Sequence, residues 1–349
     1  MPIDAPRPRV PSVPAMLCAA LVCALLATPA VADDFYKGRQ ISVICGFAPG
    51  GGYDAYARLL GRHLGRFVPG NPSVVVQNME GAGTVRASNH VYVNAAKDGT
   101  VIAAVNQNMP MYQLLGGKAA LFEAARLRFI GSLIGSNGLL YTWGTSPTKT
   151  IEDARKRETV LGGTGTNSDS HIFPTFINNV LGTRFRVING YSGGTREINI
   201  ALERGEVEGR GGNSFAGLMA SSPHWVEGRK LNYLVQIGLA PEPELANVPL
   251  LIDLVASAAD KQAVEVITVP TVMGYAYWLA PEVPETRIGE LRKAFDAMAG
   301  DAQFLADAEK AKMPVKAQAG ADIEALVKKA SSVPKPVLER TAKLLEWKD

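Results

Sequence analysis

Four glycine-rich turns carry the residues with which this chain could bind a ligand. They lie at residues 48–52, 80–84, 162–168 and 191–195. Glycines leave backbone N–H groups accessible, and the amino end of a following helix adds partial positive charge, so such a turn can bind an anion. The alternative is a tight connection that needs glycine only for its unusual φ angles.

The turns recur in the same local context, which favours a shared role. Each follows an apolar, β-branched run and precedes an amphipathic helical pattern, as in ISVICGF-APGGG at the first turn. Alternation of strands with helices predicts a parallel sheet with helical crossovers. Turns at the carboxyl ends of such strands face one crevice, where ligands of open α/β sheets bind.

Hydroxyl and guanidinium groups near the turns could orient and neutralise an anion. The hydroxyl residues are Thr84, Thr164, Thr166, Ser168 and Ser192. Helix capping is the alternative role of these hydroxyls, and for Ser168 and Thr195 it is the favoured one. Arg86, Arg196 and Arg210 could each bind a carboxylate in a bidentate manner. A solvated surface position is the favoured alternative for each arginine.

The elements that must position these turns fall into two groups. Residues 128–144, RFIGSLIGSNGLLYTWG, predict two strands without an intervening helix, and we expect the chain to cross between two lobes there. A second α/β group follows, with a helix over 168–181 and a strand EVEGR at 206–210. We therefore predict two α/β lobes, each a mostly parallel sheet flanked by helices, with the ligand cleft between them. Lobe 1 comprises residues 33–137 and 239–349, and lobe 2 comprises 138–238.

The first 32 residues have the pattern of a secretory signal peptide. Arg7 and Arg9 precede an apolar run at residues 15–27, which is shorter than the about 20 residues of a bilayer span. The small residues of 30–32, AVA, form a cleavage site. We expect cleavage after Ala32 and a periplasmic protein. Without these residues Cys45 is the single cysteine, so stability must come from the core, and about 300 residues usually divide into two domains.

The chain carries little that suggests catalysis, a metal or nucleic acid. Its net charge is +3 without a basic run, which argues against nucleic acid. Its four histidines, none paired at helical spacing or with a cysteine, make a metal site unexpected; they are His63, His90, His171 and His224. Arg86 stands where a dinucleotide motif starting at Gly81 would need its third glycine. No cofactor is expected.

A serine hydrolase using Ser214 remains the alternative from a different functional class. Residues 212–216, GNSFA, form G-x-S-x-A, one residue short of the nucleophile elbow. Asp169 and His171 lie elsewhere in the same predicted lobe. The missing final glycine, and a histidine that precedes the serine in the chain, both count against this assignment.

Several longer segments together resemble the substrate-binding receptors of tripartite tricarboxylate transporters, the Bug/TctC-type periplasmic solute-binding proteins. They are FYKGRQISVICGFAPGGGYDAYARLLGRHL, VVVQNMEGAGTVRASNHVY, KDGTVIAAVNQN, GYSGGTREINIALERGEVEG and YWLAPEVPETRIGELRKAF. The resemblance spans essentially all of the chain after residue 32. It implies a Venus-flytrap fold that closes on a small carboxylate, no catalysis, a monomer, and delivery of the ligand to integral membrane transporter subunits.

The resemblance also implies a set of ligand-binding residues by motif. In the first lobe these are Pro49, Gly50, Gly51, Gly52, Tyr53, Asp54, Gly83 and Thr84. In the second lobe they are Gly165, Thr166, Ser168, His171, Tyr191 and Gly193. The family pattern G-S-G-T-P-S-H is altered in this chain, which has NSDS at residues 167–170 before His171. The second-lobe contacts and the identity of the carboxylate are therefore left open.

Overall fold

The computed structural model of the protein describes residues 34–166, 168–191 and 194–347. The elements below belong to the unit Tyr36–Asp349. The signal peptide predicted over residues 1–32 lies outside the described residues. Across the described ranges, no helix is both long and apolar enough to cross a membrane.

The strands form two sheets, one of six strands in the order β11-β4-β10-β3-β1-β2 and one of five in the order β7-β6-β8-β5-β9. Their bounds are β1 Gln40–Cys45, β2 Ser73–Asn78, β3 Val101–Ala104, β4 Arg128–Ser132, β5 Gly138–Trp143, β6 Thr159–Gly162, β7 Phe185–Ile188, β8 Gly209–Ser214, β9 Leu231–Ile237, β10 Ala276–Leu279 and β11 Gln318–Ala319. The predicted two-lobed α/β fold is confirmed.

Helices cover the two sheets. Their bounds are α1 Gly52–His63, α2 Val85–Asn89, α3 Met109–Leu114, α4 Ile151–Lys156, α5 Asp169–Leu181, α6 Gly194–Glu203, α7 Phe215–Ser221, α8 Pro223–Glu227, α9 Leu251–Leu254, α10 Ala258–Met273, α11 Glu285–Ala299, α12 Ala302–Lys310, α13 Gly320–Ala330 and α14 Lys335–Leu344. The helix predicted over 168–181 is therefore observed as α5, which begins directly after the third glycine-rich turn.

Both sheets are mixed, which corrects the prediction of mostly parallel sheets. β1 pairs in parallel with β2 and β3, and β6 pairs in parallel with β7 and β8. β10 is antiparallel to both β3 and β4, β11 is antiparallel to β4, and β5 is antiparallel to β8 and β9. Hydrophobic periodicity predicts that a segment is a strand but does not give its direction, so the antiparallel direction of β4, β5 and β10 was not predicted.

Strand β8 begins later and ends later than predicted. The pattern placed a strand at 206–210, but the observed strand is Gly209–Ser214, with the sequence GRGGNS. A Cβ at Gly211 would lie 2.4 Å from Pro174 of α5, and one at Gly212 would lie 2.1 Å from the carbonyl carbon of Asp169. The strand therefore packs so closely against α5 that only glycine fits at positions 211 and 212. Because glycine has no side chain, this strand lacks the alternating hydrophobic pattern by which strands are predicted.

Two connections join the sheets, at residues 133–137 between β4 and β5 and at residues 238–275 between β9 and β10. Glu242 ties them together, because its Oε1 accepts hydrogen bonds from Ser136 Oγ at 3.0 Å and from the Asn137 backbone N–H at 2.7 Å. The Asn137 side chain also donates to Gln236 of β9 at 2.9 Å. Two adjacent connections between the sheets, joined through the Glu242 carboxylate, are an arrangement typical of a hinge.

Each sheet has its own hydrophobic core. Ile44, Phe129 and Trp278 belong to the cluster at the first sheet, and Leu161 and Phe173 belong to the cluster at the second. The second cluster also includes side chains of α9, α10 and α14. The assignment of residues 239–349 to the first lobe stays a prediction.

Candidate functional site

A cavity lies where the ends of strands from both sheets meet. Its walls follow the ends of β1 and β3 in the first sheet and of β6 and β8 in the second. β10 runs antiparallel to β3, so the segment before β10 lies at the same end and closes the cavity. The lining residues are Phe47, Ala48, Gly51, Gly52, Tyr53, Asn106, Gln107, Thr164, Ser168, Asp169, Ser170, Thr195, Arg210, Gly212, Asn213, Ser214 and Tyr275. The predicted crevice at the strand ends thus exists, and its cavity volume is about 40 Å³.

The first turn forms part of this cavity through Gly51, Gly52 and Tyr53, whereas Asp54 stabilises the turn itself. Asp54 is buried, and its carboxylate accepts a hydrogen bond from the Gly50 backbone N–H at 2.9 Å and from Arg58 Nε at 2.9 Å. Burial alone would favour the protonated form, but these bonds and one from Asn78 outweigh it and lower the pKa of Asp54. The carboxylate is fully engaged in holding the turn.

Aromatic rings form one side of the cavity. The Tyr53 ring stacks on Phe47 with centroids 4.5 Å apart and meets the edge of Tyr275 at 4.5 Å. Its hydroxyl accepts a hydrogen bond from the Gln107 backbone N–H at 3.0 Å. Burial raises the pKa of Tyr53 well above its ordinary value, so the phenol stays neutral and presents its ring to the cavity.

The second turn supports the loop that follows β3 and lines a neighbouring cavity. Thr84 has a left-handed backbone with φ 81°, and its Oγ1 accepts a hydrogen bond from the Asn106 backbone N–H at 3.1 Å. Gly83 and Thr84 line this second cavity, which shares Phe47, Ala48 and Thr164 with the first. The second turn therefore reaches the main site through Asn106 rather than directly.

Hydroxyl groups of the third turn form a bonded cluster on the opposite side. Ser168 Oγ lies 2.7 Å from Ser170 Oγ and donates to the Gly165 carbonyl at 2.8 Å. Ser170 Oγ accepts from the Thr164 backbone N–H at 3.0 Å. Ser168 occupies the cap position of α5, but its hydroxyl accepts no hydrogen bond from the helix backbone. Both serines line the cavity, so this cluster orients hydroxyls at the site.

Among the described residues that line the cavity, Arg210 is the only arginine, and its guanidinium is largely unpaired. The residue is 6% exposed. Nη2 donates to Thr195 Oγ1 at 3.1 Å, while the buried Nε and Nη1 have no hydrogen-bond partner. Thr195, in the first turn of α6, therefore holds the guanidinium. A buried cation with two unused donors is costly unless a partner arrives. Sequence considerations favoured a surface position for Arg210; the structure buries it instead.

Asp169 lies in the same wall and was considered from sequence only as a possible triad member. It is 7% exposed and accepts a hydrogen bond from the side chain of Asn108, across the cleft. Burial raises the pKa of Asp169 to about 7, and the hydrogen bonds and the Arg210 charge reduce that shift without cancelling it. Gly212, at φ 67°, gives Asp169 the space it occupies. Asp169 is a buried carboxyl group that titrates near neutrality.

Ser214 does not have the partners of a hydrolytic nucleophile. Its Oγ lies 2.8 Å from the Tyr275 hydroxyl and accepts from the Gly217 backbone N–H at 3.0 Å as the cap of α7. Burial raises the pKa of Tyr275 to about 12, so that hydroxyl is a poor base. His171 instead bonds through Nδ1 to Asn189 at 2.9 Å. The described residues bring no imidazole to Ser214.

The remaining motif-based residues among those described are not part of the cavity lining. Those residues are Pro49, Gly50, Gly165, Thr166, His171 and Tyr191. Gly193 and Ser192 lie outside the described residues. Arg86 donates to the Glu80 carbonyl at 3.3 Å, away from the lining. Whether any of these contacts a ligand stays a prediction.

Several lining residues were not singled out from the sequence. Asn106 and Gln107 follow β3 just as the turns follow the other strands, so the strand-end rule could have found them. Tyr275 precedes a strand whose reversed direction the sequence did not reveal. Over the described ranges, no group of three or more His, Cys, Asp or Glu is placed to hold a metal ion.

Comparison with solved structures identifies the fold. The periplasmic binding protein BugD superposes with a TM-score of 0.68 at 19% identity, covering 88% of this chain and 98% of BugD. MatC from Rhodopseudomonas palustris with bound malate gives 0.67 at 17% identity over 88% and 99%. A TctC solute-binding protein from Polaromonas gives 0.57 at 17% identity over 87% and 99%. No family model and no curated protein matches the sequence. The chain has the fold of TctC- and Bug-type periplasmic binding proteins.

Proposed function

We propose that this protein is a periplasmic solute-binding receptor that captures a small organic acid between its two lobes and delivers it to a tripartite tricarboxylate-type membrane transporter. The structural neighbours support this function, since they are binding proteins and one holds malate. The predicted signal peptide at residues 1–32 supports export. The site itself supplies the strongest argument.

The observation that carries the proposal is the unpaired guanidinium of Arg210. A carboxylate has two oxygens that match two donors of one guanidinium in a planar, bidentate pair. Arg210 offers Nε and Nη1 for this purpose, both buried and both without a partner. An incoming carboxylate would satisfy two donors and one buried charge together, so its binding would remove a cost that the ligand-free protein bears.

The rest of the lining suits recognition rather than reaction. The hydroxyls of Ser168, Ser170 and Thr195 and the backbone of the first turn can accept or donate hydrogen bonds without a full charge. In the part of the chain that the structure describes, Ser214 has no base within reach. Binding a ligand by turns, hydroxyls and one arginine, with no activated nucleophile, is the chemistry of a receptor.

Closure of two lobes about the paired connections would enclose the ligand. We propose the lobes as residues 33–137 with 239–349, and 138–238. Glu242 joins both connections through Ser136 and Asn137. Asn108, which follows β3 of the first sheet, donates a hydrogen bond to Asp169 of α5, which packs on the second sheet. Such contacts across the cleft favour a closed form.

A thermal-shift screen of the purified protein against mono-, di- and tricarboxylates and aromatic acids tests this function. A ligand at a hundred times its dissociation constant stabilises a protein by about 2.7 kcal/mol, which raises Tm by several degrees. We expect at least one acid to produce such a shift in the wild type and none to do so in Arg210→Gln. The matched control is Arg204→Gln, because Arg204 is exposed and pairs only at the surface with Glu206.

Two results would contradict the proposal. One is an acid that stabilises Arg210→Gln as much as the wild type. That result would show that the guanidinium does not bind the ligand. The other is labelling of Ser214 by a fluorophosphonate together with ester hydrolysis that Ser214→Ala abolishes. That second result would establish the hydrolase instead.

A further inference from the structure

Two opposite charges occupy the same wall of the cavity without pairing to each other. Asp169 accepts its hydrogen bond from Asn108, and Arg210 gives its one bonded donor to Thr195. The other two guanidinium nitrogens have no partner. Both residues line the cavity and both are more than nine-tenths buried. The site therefore offers a ligand one positive and one negative partner at once.

A ligand that is only an anion would use one of these charges and oppose the other. A carboxylate bound at Arg210 satisfies the guanidinium, but a second carboxylate directed along the same wall would approach Asp169. Like charges a few ångströms apart in a cleft with little water repel each other strongly. A dicarboxylate thus fits the Arg210 side of the site and conflicts with the Asp169 side.

Aromatic rings form one side of the cavity. Phe47, Tyr53 and Tyr275 line it, and the Tyr53 centroid lies 4.5 Å from those of both neighbours. Tyr275 also stacks on Tyr56 at 4.5 Å, so these rings pack against one another and supply an apolar side. The Tyr53 hydroxyl accepts a hydrogen bond from Gln107, which fixes the ring in the lining. The buried carboxyl group of Asp169 is therefore the group of this lining with which an ammonium group would pair.

We infer that the ligand of this receptor is a small zwitterion, an amino acid whose carboxylate binds Arg210 and whose ammonium group binds Asp169 beside the aromatic rings. The inference rests on the proposed receptor function and specifies its substrate class. In the ligand-free protein burial raises the pKa of Asp169 to about 7, and an ammonium partner would lower it by favouring the charged carboxylate.

Matched sets of small molecules test this class directly. Alanine, β-alanine and 4-aminobutyrate vary the distance between the charges. Isobutyrate, butyrate and pentanoate replace each ammonium with a methyl group, and methylmalonate, succinate and glutarate replace it with a carboxylate. Affinities of all nine for the wild type, Asp169→Asn and Arg210→Gln are measured by calorimetry at pH 8. Asp253→Asn serves as the control, because Asp253 is an exposed aspartate of α9.

In the wild type and Asp253→Asn, we expect one zwitterion to bind at least about tenfold more tightly than both of its counterparts, given the strength of charge pairs in a cleft. Asp169→Asn should lose that preference, and its affinity for the matching dicarboxylate should rise. Arg210→Gln should lose affinity for all three members of the set. Circular dichroism melts without ligand establish that each variant is folded.

The outcomes separate this inference from the function on which it rests. If the wild type binds a mono- or dicarboxylate at least as tightly as the zwitterion, and Asp169→Asn leaves that ratio unchanged, the zwitterion is wrong and the carboxylate receptor stands. If none of the nine binds, the inference is overturned. If in addition no acid of the wider screen binds, the proposed function fails as well.

Discussion

The two buried aspartates of the cleft, one on each wall, show which parts of this site are scaffold and which are free to bind. Asp54 on the first wall accepts hydrogen bonds from Gly50, Arg58 and Asn78, and its pKa is lowered despite burial. Asp169 on the second wall accepts from Asn108, and its burial raises its pKa to about 7. The hydrogen bonds to Asp54 outweigh the effect of its burial on the pKa, whereas those to Asp169 do not.

The same contrast holds for the other groups on the two walls. Thr84 on the first side uses its hydroxyl to hold the Asn106 backbone, whereas Arg210 on the second keeps two donors without partners. The first wall is built from turns that bond to themselves, so it shapes the cleft. The second wall carries the unpaired donors of Arg210 and the buried carboxyl group of Asp169. We therefore expect the second wall to determine which ligand binds.

The largest effect that would test this contrast is a gain of stability when Asp169 is neutralised. Its pKa rises from an ordinary 3.8 to about 7, so the folded protein bears the cost of a buried charge at pH values above 7 and loses that cost as pH falls towards 3.8. Each pKa unit corresponds to about 1.4 kcal/mol. Asp169→Asn should therefore stabilise the ligand-free protein by roughly 2–4 kcal/mol at pH 8.

Urea denaturation at pH 8 and pH 5 measures this effect. The difference between Asp169→Asn and the wild type should shrink at pH 5, where the native wild-type carboxyl group is already mostly protonated. A variant that is less stable than the wild type at pH 8 would mean that Asp169 is a structural group like Asp54.

Asp54→Asn should have the opposite sign. The pKa of Asp54 is lowered in the folded protein, so its stabilisation is present above the ordinary value of 3.8 and is lost as pH falls through the folded pKa. Replacing the carboxylate weakens its charge-assisted hydrogen bonds with Arg58 and Gly50, and we expect a loss of about 1–3 kcal/mol at pH 7. Urea denaturation at pH 7 provides the measurement. Equal stability of variant and wild type would show that the first turn does not depend on this residue.

An added charge on the first wall should weaken binding without unfolding the protein. Gly51 has an ordinary extended backbone with φ −88°, and a Cβ there would lie 3.4 Å from Thr195 on the second wall. Gly51→Asp should lower the affinity for a carboxylate at least about tenfold through repulsion, while Gly51→Ala should change it little. Calorimetry with the best ligand compares the two. Gly83 is a poorer site for this test, since its φ of 60° strains any side chain.

Gly51→Asp binding as tightly as Gly51→Ala would place the anion away from the first turn. The site would then rest on the second wall alone, and the contacts predicted for residues 49–54 would be wrong.

Residues whose position depends on local sequence could be predicted, whereas residues whose role depends on tertiary packing could not. The strand–turn–helix unit at β1 and α1 has strong periodicity, so the first turn and its place at a strand end could be predicted. Arg210 was a candidate from its position near the turns, but its burial could not be predicted, because the close packing of the β8 glycines on α5 exists only in the folded molecule. Asp169 in the first turn of α5 resembles any acidic residue that favours a helix amino end. Burial, which gives it its unusual pKa, is a tertiary property.

The smallest effect concerns Ser214. Its hydroxyl caps α7 through Gly217 and contacts Tyr275, so Ser214→Ala should cost about 1 kcal/mol of stability. We expect ligand affinity to stay within about twofold, since a cap supplies no charge to the ligand. Parallel melts and calorimetry check both numbers. Esterase activity in the wild type that disappears in this variant would contradict the receptor function.

A crystal structure of the protein with its best ligand would show whether Arg210 binds the carboxylate. We expect one carboxylate of the ligand within hydrogen-bond distance of both Nε and Nη1 of Arg210, in the cavity between the two sheets, with Asp54 still bonded to Gly50 and Arg58. A ligand bound elsewhere, or bound in this cavity with Nε and Nη1 still unpaired, would contradict this expectation.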